Sequence, residues 1–292
     1  MNIGWIGTGV MGLSMASHIQ NNGYQLFISN RTKGKASLLL ERGAVWCTNP
    51  ADVAKNADIV FTMVGFPRDV EEVYMGDSGI FSPAELKCRI VVDMTTTQPS
   101  LSEKIAVKAA QLGISALDAP VSGGDIGARE AKLVIMVGGD KKTFEDVMPL
   151  FKLMGTKIIL MGKSGAGQHT KMCNQILVAG AIISVCESML YAVKSGLNTE
   201  DVIGLLEKGA AASWTLSNLA PRIFKNDFKS GFFVEHFVKD MGIALKEAES
   251  MGICLPGLSL VNQLYVGVRS QGMGRFGTQS LYLALKRISG MD

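Results

Sequence analysis

Apolar runs alternate with segments of helical spacing from the N-terminus as far as Leu160. The runs that predict strands are Asn2–Ile6, Gln25–Ser29, Ile59–Met63, Ile90–Asp93, Ser115–Asp118, Leu133–Val137 and Lys157–Leu160. Their apolar residues are consecutive rather than alternating, as in strands covered on both faces. Between them, Met11–Asn22, Lys33–Arg42 and Leu101–Leu112 carry helical spacing, and Gly23, Gly43 and Gly113 stand where C-terminal caps belong. Strands interleaved with helices predict a parallel, doubly wound sheet. The pattern changes after Gly162-Lys163-Ser164-Gly165-Ala166-Gly167. Gln168–Ser195 predicts one long helix ended by Gly196, and Thr199–Lys208, Val238–Ser250, Ser259–Ser270 and Gln279–Ile288 predict further helices. No strand-like run stands out beyond Leu160. The expected fold class is therefore α/β over residues 1–163, followed by an all-helical domain over 164–292.

Composition narrows the function classes. The chain has 292 residues, of which 47% are hydrophobic and 19% charged, and it carries 33 glycines. That mixture suits a compact protein with many tight turns and room for two domains. The net charge of +3 is spread along the sequence without a Lys/Arg-rich block, so no nucleic-acid partner is expected. Five cysteines (Cys47, Cys88, Cys173, Cys186 and Cys254) form no C-x-x-C, which points to a reducing, cytoplasmic setting. The first residues enter a strand directly, without the pattern of a signal peptide. The most apolar stretch, Ile176–Cys186, is about half a membrane span and is bounded by Asn174, Gln175 and Glu187. It predicts a buried helix and no membrane partner. His18, His169 and His236 are not grouped with carboxylates or cysteines at ligand spacing, so no metal is expected.

Gly7-Thr8-Gly9-Val10-Met11-Gly12 fits G-x-G-x-x-G, with a predicted strand before it and a helix after it. In that context Gly7 permits a tight turn, Gly9 lets the backbone approach a pyrophosphate, and Gly12 lets helix and strand pack closely. The helix N-terminus adds N–H groups and a positive dipole end, making a dinucleotide site of Rossmann type. The second strand ends in Ser29-Asn30-Arg31-Thr32-Lys33, with no carboxylate to accept from an adenosine ribose. Arg31, with Thr32 beside it, suits a 2′-phosphate, so NADP is the expected cofactor. Asn30 leaves NAD possible, because it can accept from an unphosphorylated ribose.

Three further motifs lie in order along the chain: Asp118-Ala119-Pro120-Val121-Ser122-Gly123-Gly124, Gly165-Ala166-Gly167-x-x-x-Lys171-x-x-Asn174, and Lys239-Asp240-Met241-Gly242. Lys171, Asn174, Gln175 and Val178 share one helix face by their spacing. A lysine there, enclosed in a cleft between domains, would be suited to general acid/base work. Ser122, Gly123 and Gly124 can offer a hydroxyl and unobstructed N–H groups to an anion. With the N-terminal glycines, these motifs resemble the β-hydroxyacid dehydrogenase family, which includes 3-hydroxyisobutyrate dehydrogenase and the tartronate, glyoxylate and succinic semialdehyde reductases.

The resemblance spans essentially the whole chain. It implies that Lys171 is the catalytic acid/base, that Asn174 positions it or the substrate oxygen, and that Ser122, Gly123 and Gly124 hold the substrate carboxylate. It places Thr95 and Thr96 near nicotinamide and substrate, with Gln175 beside them. Met63, Val64 and Gly65 become the cofactor-facing segment, and Lys239 reaches back to the cofactor. Gly65-Phe66-Pro67 departs from the more common continuation of that segment. The implied reaction is hydride transfer between NADP(H) and a small β-hydroxy acid, semialdehyde or 2-oxo acid, in a homo-oligomer, a dimer or tetramer. Two alternatives remain open: a non-catalytic NADP-binding sensor or scaffold, and an enzyme like the imine reductases.

Overall fold

The computed structural model describes residues 1–291; Asp292, the end of the expected second domain, lies outside the described residues. The chain forms two compact units, Met1–Lys171 and a second from Met172 onwards. The division falls inside the long helix rather than ahead of it.

In the first unit, β1 (Asn2–Ile6), β2 (Gln25–Ser29), β3 (Val45–Trp46), β4 (Ile59–Thr62), β5 (Ile90–Asp93), β6 (Ser115–Asp118), β7 (Val121–Ser122), β8 (Leu133–Gly138) and β9 (Gly155–Gly162) make one sheet. The strand order is β3-β2-β1-β4-β5-β6-β8-β7, with β9 beside β8. From β3 to β6 every pairing is parallel. The order reverses direction between β1 and β4, which opens a crevice at their carboxyl ends.

The sheet is predominantly parallel, as expected, with antiparallel pairings toward its far edge. β8 runs antiparallel to both β6 and β7, with Val121 opposite Ile135 and Ser122 opposite Val134, and β9 runs parallel to β8. The stretch from Gly123 to Lys132 is shorter than the dozen or so residues a parallel crossover takes, so the chain can only double back. β3 and β7 are two residues each, too short to show any period.

Helices cover the sheet on both faces. Lys33–Arg42 is a short 3-10 turn, Lys33–Ala36, leading into an α-helix, Ser37–Glu41. Pro50–Asn56, Pro67–Met75, Gly124–Arg129 and Lys141–Phe151 add helices for which no boundaries were predicted. Asn49 and Asp140 cap two of them by accepting from Asp52 and Thr143 N–H. Apolar residues of β1, β2 and β4 meet those of the flanking helices. Trp5 stacks on Phe61 at 5.5 Å between centroids, and Phe61 meets Phe151 edge-on at 6.2 Å.

The second unit is all helical: the body of Ala166–Lys194, then Thr199–Leu206, Trp214–Phe224, Val234–Ser250, Pro256–Val268 and Leu281–Ile288. Its core centres on Met189, Phe237, Met241, Val261 and Tyr265. Phe237 and Tyr265 pack edge-to-face at 5.0 Å, and Tyr265 Oη donates to Thr278 O at 2.6 Å. The long helix meets the length and hydropathy of a membrane span, with 39% of its most apolar window buried. The expected burial holds for one face of this helix: Met172, Ala179, Ile182, Cys186 and Met189 face the core, while Leu177 and Tyr191 are 74% and 75% exposed.

Two carboxylates end adjacent strands in register, Asp93 on β5 and Asp118 on β6, and both are buried. Asp93 Oδ1 accepts from Thr62 Oγ1 at 2.8 Å and from Thr95 N–H at 3.0 Å; its Oδ2 has no hydrogen-bond partner among the described residues. Burial pushes the Asp93 carboxyl up to about 6, with the two donors pulling the other way and Asp118 adding to the rise. Folding thus favours the protonated acid. That contribution is complete below the unfolded value near 3.8 and is lost as pH rises through about 6. Asp93→Asn keeps an acceptor for Thr62 and Thr95 but cannot ionise. Its melting temperature relative to wild type should climb by several degrees between pH 5 and pH 8, reflecting on the order of 3 kcal/mol at most. Thermal denaturation across that range checks this, and a difference independent of pH overturns it.

Candidate active site

The N-terminal glycine turn is shaped by its neighbours. Gly7 has φ of +98°, and a methyl group on it would collide with the carbonyl of Met63 at the end of β4. At Gly12 a methyl would collide with the carbonyl of Gly7, which also accepts from Trp5 Nε1 at 2.9 Å. Gly9 differs: a methyl there meets no protein atom within 4 Å, so that side of the turn is left open by the fold. The helix Gly12–Asn21 that follows has no side-chain cap and no acidic residue in its first turn. A bare backbone before an uncapped helix start fits the pyrophosphate of a dinucleotide. A shallow cavity lined by Thr8, Gly9, Val10, Leu13, Gly34, Lys35, Ser37 and Leu38 adjoins this turn.

Asn30 ties the end of β2 to the turn. Its Oδ1 accepts from Thr8 N–H at 3.1 Å and its Nδ2 donates to Thr32 O at 2.8 Å. Its side chain is therefore engaged in the scaffold, on the atom expected to meet a ribose. Arg31 has a side chain 88% exposed, its guanidinium 3.9 Å from Asp69, while Asp69 accepts from Phe66 N–H at 3.0 Å. Lys33 lies over the Trp46 ring at 5.5 Å.

At the carboxyl ends of β4 and β5, Met63, Val64 and Gly65 are half-buried. Val64 N–H donates to Thr95 Oγ1 at 3.0 Å. Thr95 is buried, and its N–H, Oγ1 and carbonyl are all engaged within the unit. Thr96 is half-buried. Ser122 closes β7, and Gly123 and Gly124 follow with φ of +129° and +62°.

The helix bearing Lys171 starts against β6. Asp118 Oδ1 accepts from Gly165 N–H at 2.7 Å and Oδ2 from Gln168 N–H at 2.9 Å. Burial raises the Asp118 carboxyl above the ordinary carboxylate range, opposed by these same N–H donors. Lys171 is the last residue of the first unit and is 6% exposed.

Within the second unit, Asn174 Nδ2 donates to Gln175 Oε1 at 2.8 Å, and Gln175 Nε2 donates to Asp240 Oδ2 at 2.7 Å. Lys239 Nζ lies 3.0 Å from Asp240 Oδ1. The motif Lys239-Asp240, ordinary by itself as a solvated pair, is thus largely buried and joined to Asn174 and Gln175 through Asp240.

Four polar residues received no role from the sequence: Asp93, Asp118, Gln168 and Asp240. The signal for the first two is an Asp closing each of two apolar strands, Ile90–Asp93 and Ser115–Asp118. Other titratable side chains stand elsewhere. Burial pushes the Cys88 and Cys186 thiols up to about 12 and that of Cys47 to about 11. His18 Nε2 lies 2.9 Å from Ala128 O, and His236 packs on Phe233.

Known proteins agree with this geometry. Residues 2–162 match the family described as the NAD binding domain of 6-phosphogluconate dehydrogenase, and residues 165–285 match that described as NAD-binding of NADP-dependent 3-hydroxyisobutyrate dehydrogenase. An uncharacterized oxidoreductase, YkwC, of Bacillus subtilis is 55% identical over 96% of this chain and 97% of its own length. The 2-hydroxy-3-oxopropionate reductase of Escherichia coli is 39% identical, covering 98% of this chain and 97% of its own. A solved 3-hydroxyisobutyrate dehydrogenase of Mycobacterium tuberculosis with L-serine superposes with a TM-score of 0.87 at 26% identity, over 98% of this chain and 99% of its own. The chain belongs to the β-hydroxyacid dehydrogenase family of NAD(P)-dependent oxidoreductases.

Proposed function

We propose that the chain transfers hydride between NADP(H) and a small acid bearing a hydroxyl or carbonyl group near its carboxylate, with Lys171 as general acid/base. One observation carries this reading: Lys171 is buried on the helix whose first turn Asp118 fastens to the carboxyl end of β6. The family match described as NADP-dependent and the named Escherichia coli reductase support it.

The bound nicotinamide supplies or accepts the hydride. In reduction, Lys171 Nζ donates a proton to the carbonyl oxygen as negative charge develops there; in oxidation, its neutral amine takes the hydroxyl proton. Asn174, one helical turn on, orients the amine or the substrate oxygen. Ser122 Oγ and the N–H groups of Gly123 and Gly124 receive the carboxylate, with Thr96 completing the first unit's share of the substrate shell. Thr8, Gly9, Val10, Met11 and Gly12 cradle the pyrophosphate, while Arg31 and Thr32 meet the 2′-phosphate. Met63, Val64 and Gly65 flank the nicotinamide side, Thr95 holding Val64 in place. A cytoplasmic homo-oligomer belongs to the same reading, and the exposed Leu177 and Tyr191 of the long helix support an association between copies.

Turnover of glyoxylate, succinic, methylmalonate and tartronate semialdehydes, followed at the nicotinamide absorbance band with both cofactors, tests the reading. Failure of the whole panel would return the chain to a binding role. Lys171→Ala should lower kcat by a factor on the order of 10²–10⁴ with cofactor affinity nearly unchanged. A variant keeping a tenth of wild-type kcat removes the lysine from proton transfer. Ser122→Ala should raise KM for acid substrates roughly tenfold and affect kcat less, because it deletes a donor to an anion present in ground and transition states alike. An unchanged KM on every active substrate contradicts the assignment. Arg31→Ala should reduce the preference for NADPH over NADH by about one to two decades in relative kcat/KM. The comparison is made in both enzymes: a wild-type preference for NADH, or a ratio unmoved by the substitution, counts against it.

A further inference from the structure

We propose that Gln168 is the positioning residue for Lys171, joining the helix that carries the lysine to the Thr95–Thr97 loop, with Asp118 and Asp93 as the fixed points of the frame. The inference rests on Lys171 being the proton-transfer group.

Gln168 is fully buried, and both ends of its amide are used. Its Nε2 donates to Thr95 O at 2.8 Å and its Oε1 accepts from Thr97 N–H at 3.1 Å. Its own N–H donates to Asp118 Oδ2. Thr95 donates its N–H to Asp93 and receives Val64 N–H on its hydroxyl. A continuous set of hydrogen bonds thus runs from the loop after β4, through Thr95 and Gln168, into the helix one turn before Lys171.

The neighbourhood is cleared for this arrangement. A methyl group at Gly138 would collide with Asp118 Oδ1 and Gly167 N, and one at Gly167 with Asp118 and the Met136 carbonyl. The helix has no acidic residue in its own first turn, so Asp118, from β6, supplies the negative charge that its N-terminal dipole favours. Asp118 alone fixes the helix start along its axis, since both its bonds go to the first N–H groups. Gln168 adds the second bearing, to the loop. A misplacement of about 1 Å at a reacting group costs on the order of a hundredfold in rate, so a lysine one turn from a loosened anchor would lose kcat.

Two variants test this in the full chain. Gln168→Met matches the side chain in length and can neither donate nor accept; kcat should fall tenfold or more, with KM and cofactor Kd within about threefold. Gln168→Glu restores both bonds only when protonated, since an ionised carboxylate would face the Thr95 carbonyl with Asp118 and Asp93 close behind. Its kcat should approach wild type at low pH and fall at least tenfold relative to wild type by pH 8, while that of Gln168→Met stays low throughout. A purely structural role predicts lowered melting temperatures with an unaltered pH profile of kcat per folded enzyme, and that result overturns the proposal. Amide hydrogen exchange over Gly167–Met172, in the chain with NADPH added, reads the same anchor without turnover. Exchange should rise tenfold or more in Gln168→Met, and unchanged protection also overturns the proposal. Wild-type inactivity on every substrate, with loosened exchange in the variant, would discard the hydride-transfer reading and leave the anchor standing.

Discussion

The carboxylate of Asp118 is withdrawn from water and placed at the start of a helix, and the geometry of the first unit follows from how that burial is offset. A buried carboxylate is costly unless hydrogen-bonded. Here two backbone N–H groups and the positive end of a helix dipole meet it. Because those donors belong to Gly165 and Gln168, satisfying the charge also fixes where the long helix begins. The register that pairs Asp118 with Asp93 then places the helix start beside the loop after β5. Lys171 inherits its place from a chain of polar bonds that a purely apolar strand end would not provide.

Much of this fold is legible in the sequence, for reasons that differ by element. β1, β2, β5 and β6 coincide with their predicted ranges because strands buried on both faces leave unbroken apolar runs. Gly23, Gly43, Gly113 and Gly196 all adopt positive φ at the helix ends they were expected to close. The reversal of β8 was not legible, because the two-residue β7 shows no period and the gap from Asp118 to Leu133 then reads as long enough for a parallel crossover. Helices interrupted by proline, such as Lys141–Phe151 with Pro149 and Trp214–Phe224 with Pro221, hide their period in the same way. The long helix was legible in part. Its apolar richness suggested burial, whereas one face carries Leu177, Gly180, Ser184 and Tyr191 into solvent.

The candidate site was legible where chemistry requires a particular residue type and opaque where it requires a particular neighbour. The glycine turn, Lys171 and Ser122 carry their signals in one or two positions. Gln168 does not, because a glutamine near a helix start is unremarkable until Thr95 and Thr97 are seen on either side of its amide. Asn30 illustrates the converse. Its position at the end of β2 suggested a ribose contact, and the structure adds a scaffold role, with Oδ1 accepting from Thr8 N–H and Nδ2 donating to Thr32 O. The position is neutral, with Arg31 beside it as an exposed cation.

The hydrogen bond from Trp5 to the Gly7 carbonyl has a spectroscopic corollary. That indole is sealed from solvent, stacked on Phe61 and bonded to the glycine turn itself, whereas Trp214 lies 65% exposed in the second unit. Emission from a tryptophan overlaps the absorption of a reduced nicotinamide, and a buried indole is shielded from a dissolved quencher such as iodide. Of the chain's three tryptophans, Trp5 and Trp214 are therefore intrinsic lamps at opposite extremes of accessibility, with Trp46 half-buried. The inner one illuminates the dinucleotide turn, and the outer one can be extinguished separately.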